Sequence, residues 1–202
     1  LILFKIGALC NDASLDIEKS EIIGDPTEAA LLVSSEKSGI NHQDLQQKYK
    51  RIKEEPFDSI RKMMSVVVIS PEDKKSYVYT KGATEKVLEK CTHFYLNGKI
   101  KKLDKKTISL THEKNKKFAS SALRILAFAY KPYKQKEKLE NNLIFVGLQA
   151  MIDPPRAEVK EAVELCKQAG IRAIMVTGDN IYTAKAIAED IGELSLTYEG
   201  NN

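Results

Sequence analysis

Apolar and polar residues follow two different patterns along this chain, and the change falls near residue 152. Before that point, short apolar runs such as residues 64–69 and 143–148 have the length of β-strands and are bounded by turn-forming residues. After that point, apolar residues recur at helical spacing, followed by one apolar run and a second helical pattern. The two patterns predict two structural regions.

The first region contains one helix with a clear start and end. Asp25 is a candidate N-cap, Pro26 fits the first turn, and Glu28 follows the cap by three residues, as in a capping box. Gly39 is expected to end this helix. A second helix is predicted at about residues 111–122.

Predicted strands surround these helices, and turns join most of them. Residues 64–69 and 76–80 are expected to form a hairpin across Pro71-Glu72-Asp73, and Asn97-Gly98 marks a second hairpin. This arrangement predicts an antiparallel sheet with helices packed on it, in an α/β fold. The predicted strands are residues 49–55, 64–69, 76–80, 94–96, 99–101, 125–130 and 143–151.

The second region has the order of elements found in a doubly wound parallel fold. A helix is expected to end at Gly170, residues 171–176 are predicted to form a strand, and another helix covers about residues 180–191. Thr177-Gly178-Asp179 then lies at the carboxyl end of a strand, where such folds bind ligands. Its glycine allows a phosphate to approach the backbone, although a tight turn capped by Asp179 is the structural alternative.

Composition restricts the function only loosely. The 202 residues are 43% hydrophobic and 30% charged, which suffices for a core. We expect neither a signal peptide nor a membrane helix, since no apolar run approaches about 20 residues. Three cysteines without close pairing favour neither a disulfide framework nor a zinc site. The net charge is +4, and the lysine-rich stretches have few aromatic residues, so nucleic acid is not an expected partner.

Four residues of the first region have side chains suited to a nucleotide. Phe57 can stack on a purine, and Arg124 can bind phosphate or ribose oxygens. Lys81 follows a predicted strand and precedes a glycine, which opens the backbone around its charge. The carboxylate of Glu28 can accept from an amine of the base. The structural alternatives are a core ring for Phe57, exposed positions for Lys81 and Arg124, and the capping box for Glu28.

Five motifs occur in an order that resembles the cytoplasmic part of P-type cation-transporting ATPases, particularly the calcium-pump branch. They are Gly24-Asp25-Pro26-Thr27-Glu28, Phe57-Asp58-Ser59-Ile60-Arg61-Lys62, Lys81-Gly82-Ala83, Asp153-Pro154-Pro155-Arg156 and Thr177-Gly178-Asp179-Asn180. The resemblance implies a nucleotide-binding domain at residues 1–152. It also implies part of a phosphorylation domain at residues 153–202, with a doubly wound parallel, haloacid-dehalogenase-like fold and a hinge at residues 153–156.

The resemblance implies a role in ATP binding for residues of both regions. In that family the counterpart of Phe57 stacks on adenine, Lys81 lines the adenine pocket and Glu28 lies at the edge of the base. The counterparts of Thr177 and Gly178 contact phosphate. The complete implied set is Glu28, Phe57, Lys62, Lys81, Gly82, Arg124, Asp153, Arg156, Thr177, Gly178 and Asp179.

Two motifs of that family do not occur in the sequence. One is Asp-Lys-Thr-Gly-Thr, which carries the phosphorylated aspartate, and the other is Gly-Asp-Gly-x-Asn-Asp, the magnesium site. The chain, which begins at Leu1, is therefore expected to be a piece of a longer membrane protein. We expect this cytoplasmic, monomeric piece to bind ATP without hydrolysing it, with Mg²⁺ acting in the parent. Its expected partners are the membrane, actuator and phosphorylation domains of a pump. Ile60 departs from the charged residue common in related pumps, which weakens the case for a contact from Ser59.

Two alternatives stay open at this stage. A free-standing nucleotide-binding regulatory module would carry the same residues without a pump attached. The parent gene would distinguish it, through the aspartate motif upstream and membrane spans downstream. A soluble phosphatase with the same phosphate-binding fold would need a nucleophilic Asp-x-Asp, and none is suitably placed in this sequence.

Overall fold

A computed structural model of the chain describes residues 1–16, 21–121, 123–152, 157–176 and 181–192. The helices in these ranges are α1 (Ile2–Leu9), α2 (Pro26–Lys37), α3 (His42–Lys48), α4 (Thr84–Glu89), α5 (Lys105–Ala119), α6 (Ala157–Gln168) and α7 (Ile181–Asp190). The strands are β1 (Ser14–Asp16), β2 (Glu21–Ile23), β3 (Lys50–Asp58), β4 (Met63–Ile69), β5 (Ser76–Gly82), β6 (Cys91–Leu96), β7 (Lys99–Lys102), β8 (Leu123–Pro132) and β9 (Leu143–Ile152).

The chain divides into two compact units. The first unit comprises Leu1–Ser109 and Leu126–Gln149, and the second comprises Leu110–Ile125 and Ala150–Asn202. The domain boundary after residue 152 stays a prediction. Among the helices in the described ranges, none combines the length and apolar character that a membrane crossing requires.

The main sheet has seven strands in the order β3-β4-β5-β8-β9-β6-β7. The β3–β4, β4–β5, β5–β8 and β6–β7 pairs are antiparallel, whereas β6 and β9 run parallel. The prediction of an α/β fold is confirmed, but the sheet is mixed rather than purely antiparallel. The reason is the connection from β6 to β9, which passes through β7, α5 and β8 and is long enough to bring the chain back in the same direction.

The β4–β5 hairpin forms the centre of the first unit, and its two faces are covered by different elements. On one face, α1 packs closely on β8, because a Cβ added at Gly7 would lie 3.7 Å from Cε1 of the fully buried Phe128. On the other face, Val87 and Leu88 of α4 join a cluster of buried residues from the sheet. Those sheet residues are Met63, Ala127, Ala129, Leu143 and Phe145. The hairpin is therefore buried on both sides, which explains the nearly continuous apolar sequence of β4.

The strands at the two edges of the sheet are short of apolar residues. All four residues of β7 are exposed, and three of them are lysines. On β3 most side chains are exposed or half-buried, and charged residues predominate. Charged edges oppose pairing with strands of another molecule.

A helix cap and two turns occur where the sequence predicts them. Asp25 caps α2, its Oδ1 accepting from the backbone N–H of Thr27 at 2.7 Å, and Gly39 follows the helix with φ +82°. Asn97 and Gly98 join β6 to β7 with φ values of +49° and +79°. Both residues tolerate this left-handed backbone, and the predicted hairpin is confirmed.

Other elements were missed or misplaced by the sequence analysis. Helix α5 begins at Lys105, six residues before the predicted start at residue 111, because Asp104 is a cap that we overlooked. Its Oδ1 accepts from the backbone N–H of Thr107 at 2.7 Å, and this hydrogen bond lowers the pKa of Asp104. Helix α1 was not predicted, since eight mainly apolar residues are too few to show helical periodicity.

The predicted strand at residues 171–176 is not formed in the structure. A parallel strand depends on neighbouring strands for its hydrogen bonds, and no strand in the described part of the chain pairs with this segment. Ile174 and Val176 are consequently 76% and 91% exposed. The helices on either side, α6 and α7, do form and are linked by a hydrogen bond from Lys167 Nζ to the carbonyl of Gly192.

A polar cluster joins α1 to the β4–β5 turn through Tyr49, which is 4% exposed. The Tyr49 hydroxyl accepts from Lys5 Nζ at 2.5 Å and donates to the carboxylate of Glu72. Ser70 Oγ also donates to Glu72, at 2.7 Å. These bonds, first of all that from Tyr49, lower the pKa of Glu72 to about 2.

Replacing Glu72 by Gln is expected to reduce the acid sensitivity of the first unit. The folded-state pKa of this carboxyl lies below the ordinary 4.5, so its contribution is complete above about pH 4.5 and is lost as pH falls towards 2. At pH 7 the variant should lose about 0.5–1 kcal/mol of unfolding free energy, a modest value because the carboxylate is largely exposed.

Urea unfolding followed by tyrosine circular dichroism, at pH 7 and at pH 3, would measure both effects. Glu89→Gln, at an exposed position of α4 in the first unit, is the control. The interpretation fails if Glu72→Gln and Glu89→Gln show the same pH dependence.

Candidate functional site

A buried ion pair lies between the end of the central hairpin and the first turn of α2. Lys81 Nζ is 2.5 Å from Glu28 Oε1, and the two side chains are only 7% and 18% exposed. Lys81 is held in the middle of the sheet, with Met64 opposite it on β4 and Phe128 on β8. Two residues from separate sequence motifs are thus brought into direct contact.

The second oxygen of Glu28 is also engaged. Oε2 accepts from the backbone N–H of Asp12 at 2.9 Å. Asn11 fixes the same segment, because its Nδ2 donates to the carbonyls of Gly7 and Glu28 at 3.0 and 2.9 Å. The carboxylate of Glu28 therefore points towards Lys81 and Asp12, and Asp25 supplies the cap of α2.

Arg51 reinforces this arrangement from β3. Its Nη1 donates to Asp12 Oδ1 at 2.6 Å, and its Nη2 donates to the carbonyls of Leu9 and Asn11 at 3.1 and 2.7 Å. We missed Asn11, Asp12 and Arg51 in the sequence. The only available signal was an Asn-Asp pair directly after an apolar segment, which is typical of a turn.

Cys10 lies beside this network but is not a reactive thiol. It is fully buried, and its Sγ is 3.5 Å from the carbonyl oxygen of Met64. Burial raises the pKa of the Cys10 thiol to about 11, although the charges of Lys81 and Arg51 oppose this effect. The thiol stays protonated at neutral pH.

Gly82 and Lys62 are in direct backbone contact. The backbone N–H of Ala83 donates to the carbonyl of Lys62 at 2.9 Å, and a Cβ added at Gly82 would lie only 2.5 Å from that oxygen. Glycine is favoured here because the Cβ of any other residue would push β5 away from the turn that ends at Lys62. Lys62 itself has φ +52° at the end of the turn from β3 to β4.

Phe57 is near these residues and accessible. Its ring is 64% exposed, and its neighbour Asp58 pairs with Met63, which pairs in turn with Gly82. Since adjacent strands are separated by about 4.8 Å, Asp58 and Gly82 lie about 10 Å apart. An exposed aromatic ring thus lies at the same end of the hairpin as Lys62 and Gly82.

The remaining predicted residues belong to the second unit or lie outside the described residues. Arg124 is exposed near the start of β8 and belongs to the second unit. Asp153, Arg156, Thr177, Gly178 and Asp179 lie outside the described residues. Within the described ranges, no cluster of His, Cys, Asp or Glu side chains is suited to hold a metal ion.

Removing the Glu28 carboxylate should destabilise the first unit strongly. Glu28→Ala leaves Lys81 buried without its partner, for an expected loss of about 3 kcal/mol in unfolding free energy. Lys81→Met in the same chain should restore part of that loss, so the two effects are not additive. Urea unfolding of the single and double variants gives the coupling energy. The exposed Asp44–Lys48 pair, treated in the same way, is the matched control. Equal coupling in the two pairs would contradict this account.

Adding one methyl group at Gly82 should separate β5 from the turn that ends at Lys62. Gly82→Ala is expected to cost about 1–3 kcal/mol, since the new Cβ meets backbone atoms that cannot move independently. Gly147→Ala is the control, because its Cβ would make only an ordinary contact with Leu3 at 3.5 Å. Thermal unfolding compares the two variants, and similar transition temperatures would show that β5 and the turn adapt easily.

The chain is similar to a known protein family. The family model described as P-type ATPase, cytoplasmic domain N matches residues 2–158. A calcium-transporting ATPase 1 of Bacillus cereus is 47% identical over 188 residues, which cover 91% of this chain and 21% of that protein. A calcium-transporting ATPase of Bacillus subtilis is 40% identical, over 92% of this chain and 22% of that protein.

More distant transporters also match. The potassium-transporting ATPase alpha chain 2 of Oryctolagus cuniculus is 37% identical, over 98% of this chain and 20% of that protein. The chain spans about a fifth of the length of the curated relatives that it matches. The family model and the relatives agree with the resemblance found in the sequence motifs. The chain belongs to the P-type ATPases, and its residues 2–158 correspond to their cytoplasmic domain N.

Proposed function

We propose that this chain is the ATP-binding part of a calcium-transporting P-type ATPase. The observation that carries the proposal is the meeting of Glu28 with Lys81, and of Lys62 with Gly82, at one end of the central hairpin. Calcium as the transported ion rests on the names of the two Bacillus relatives.

The described residues fit the chemistry of a purine nucleotide. The exposed ring of Phe57 offers a face on which adenine can stack. Each oxygen of Glu28 already accepts one hydrogen bond and keeps a second lone pair for the amine of the base. Lys81 holds that carboxylate in place and contributes a positive charge next to it. Lys62 approaches the nucleotide, and Arg124 binds its phosphate or ribose oxygens.

The parts outside the described residues complete the proposal. Thr177 and Gly178 bind phosphate, and Asp179 helps to bind the nucleotide. Asp153 and Arg156 lie close to the nucleotide at a hinge formed by residues 153–156. Residues 153–202 belong to a haloacid-dehalogenase-like phosphorylation domain. Closure of the hinge delivers the γ-phosphate to an aspartate that is absent from this chain, with Mg²⁺ bound by other parts of the parent protein.

The parent protein would be an ATP-driven cation translocase in a membrane, with this segment in the cytoplasm. Its partners are the membrane, actuator and phosphorylation domains of the same pump. The chain alone is a monomer that does not hydrolyse ATP by this mechanism. The alternative is a regulatory module that binds nucleotide without a pump.

An amide NMR titration with ATP, AMP and GTP in parallel tests the proposal. Saturable shifts near Glu28, Phe57 and Lys81, larger for adenine than for guanine nucleotides, are expected. Absence of saturable shifts in the folded protein would overturn both the proposal and its alternative.

Truncation of Phe57 should weaken ATP binding without damaging the fold. Because the ring is exposed, its main contribution is stacking, and Phe57→Ala is expected to cost about 1–3 kcal/mol of binding free energy. Ile60→Ala, at an 84% exposed position after the same strand, is the matched control and should bind as the wild type does. Isothermal titration calorimetry measures both variants. Unchanged binding by Phe57→Ala would remove Phe57 from the site.

A further inference from the structure

The segment that carries Phe57 and Lys62 is held at its two ends by different contacts. At the Lys62 end, the backbone N–H of Lys62 donates to the carbonyl of Asp58, and the carbonyl of Lys62 accepts from Ala83. Asp58 Oδ1 accepts from the backbone N–H groups of Ile60 and Arg61 at 3.1 and 2.7 Å. The backbone around Lys62 is therefore fixed by its own turn and by β5.

The Phe57 end depends on the side chain of Arg61. The β3–β4 register is irregular between Glu55 and Asp58, so the regular ladder does not fix Phe57. Arg61 Nη2 donates to the carbonyl of Pro56, directly before Phe57, at 2.6 Å. Arg61 Nη1 donates to Glu140 Oε1, and this bond raises the pKa of Arg61.

Glu140 is itself a rigid anchor. Its side chain is 14% exposed, and Oε1 also accepts from Ser65 Oγ at 3.1 Å. The segment before and after it is clamped by the buried Lys131, whose Nζ donates to the carbonyls of Lys138 and Asn141 at 2.7 and 2.8 Å. Leu139 is buried against Val67 and Val78 in the adjoining hydrophobic cluster. The carboxylate of Glu140 thus has a fixed position relative to the sheet.

We infer that Arg61 and Glu140 are positioning residues for nucleotide binding, which hold the backbone before Phe57 so that its ring is presented to the base. The inference rests on the proposed function. An arginine suits this task because its planar fork reaches a carboxylate and a carbonyl at the same time. Lysine in its place has one compact charge and cannot make both contacts with the same geometry. Neither Arg61 nor Glu140 needs to touch the nucleotide.

The first part of the test measures ATP dissociation constants by calorimetry. Arg61→Ala and Glu140→Gln should each raise the dissociation constant about two- to fivefold, less than complete removal of the ring. The double variant should have the same ATP affinity as the weaker-binding of the two single variants, because both substitutions break the same Arg61–Glu140 contact. Arg61→Lys should recover part of the loss. Lys134→Ala, which removes an exposed ion pair with Glu137 in the same loop, is the control and should bind as the wild type does.

The second part separates positioning from a general loss of structure. In a Phe57→Ala background, Glu140→Gln should have no further effect on ATP affinity, since the pair acts through the ring. A further loss of similar size in that background would overturn the inference. The inference would also fail if Arg61→Ala and Glu140→Gln bound ATP as the wild type does while Phe57→Ala bound it more weakly. In that case the proposed function would still stand. A wild-type chain that does not bind ATP would remove the proposed function itself.

Discussion

The buried contact between Lys81 and Glu28 is the interaction on which the rest of the site depends. A charge can occupy the middle of a sheet only if a partner and hydrogen bonds replace the water that it has lost. Glu28 supplies the partner, and the Asp12 amide and the Arg51 network fix Glu28. The contact therefore connects α2 and the segment after α1 to the central hairpin. It also places two charged groups next to each other in the candidate site.

The two faces of the hairpin make different contacts. One face carries the Lys81–Glu28 ion pair and the polar network beneath α1 and α2. On the other face, apolar residues pack against α4, and Ser65 is hydrogen-bonded to Thr80 and Glu140. At its open end, a missing side chain at Gly82 lets the backbone carrying Lys62 approach β5. Rigidity at the candidate site thus comes from backbone contacts and fixed charges, whereas Phe57 is largely exposed.

The parts of the fold that could be predicted are those determined by residues close together in the sequence. The cap at Asp25 and the Asn97-Gly98 turn are local, and both are confirmed. The parallel pairing of β6 with β9 depends on distant segments, and no local pattern reveals it. For the site, the motifs indicated Glu28 and Lys81 separately but not their contact. Arg51 and Glu140 were missed altogether, because a charged residue in a polar segment looks the same in the sequence whether its side chain is solvated or hydrogen-bonded within the protein.

The charged edge strands β3 and β7 have a consequence for assembly. An exposed edge strand can pair with a strand of another molecule. Charged side chains along β3 and β7 oppose such pairing, because they would have to be brought close together and desolvated. The seven-stranded sheet in the described part of the chain therefore ends in two charged edges. When many copies are crowded together, the unit resists fusing into larger sheets, even though its centre consists of the apolar, β-branched sequence that is typical of aggregating segments.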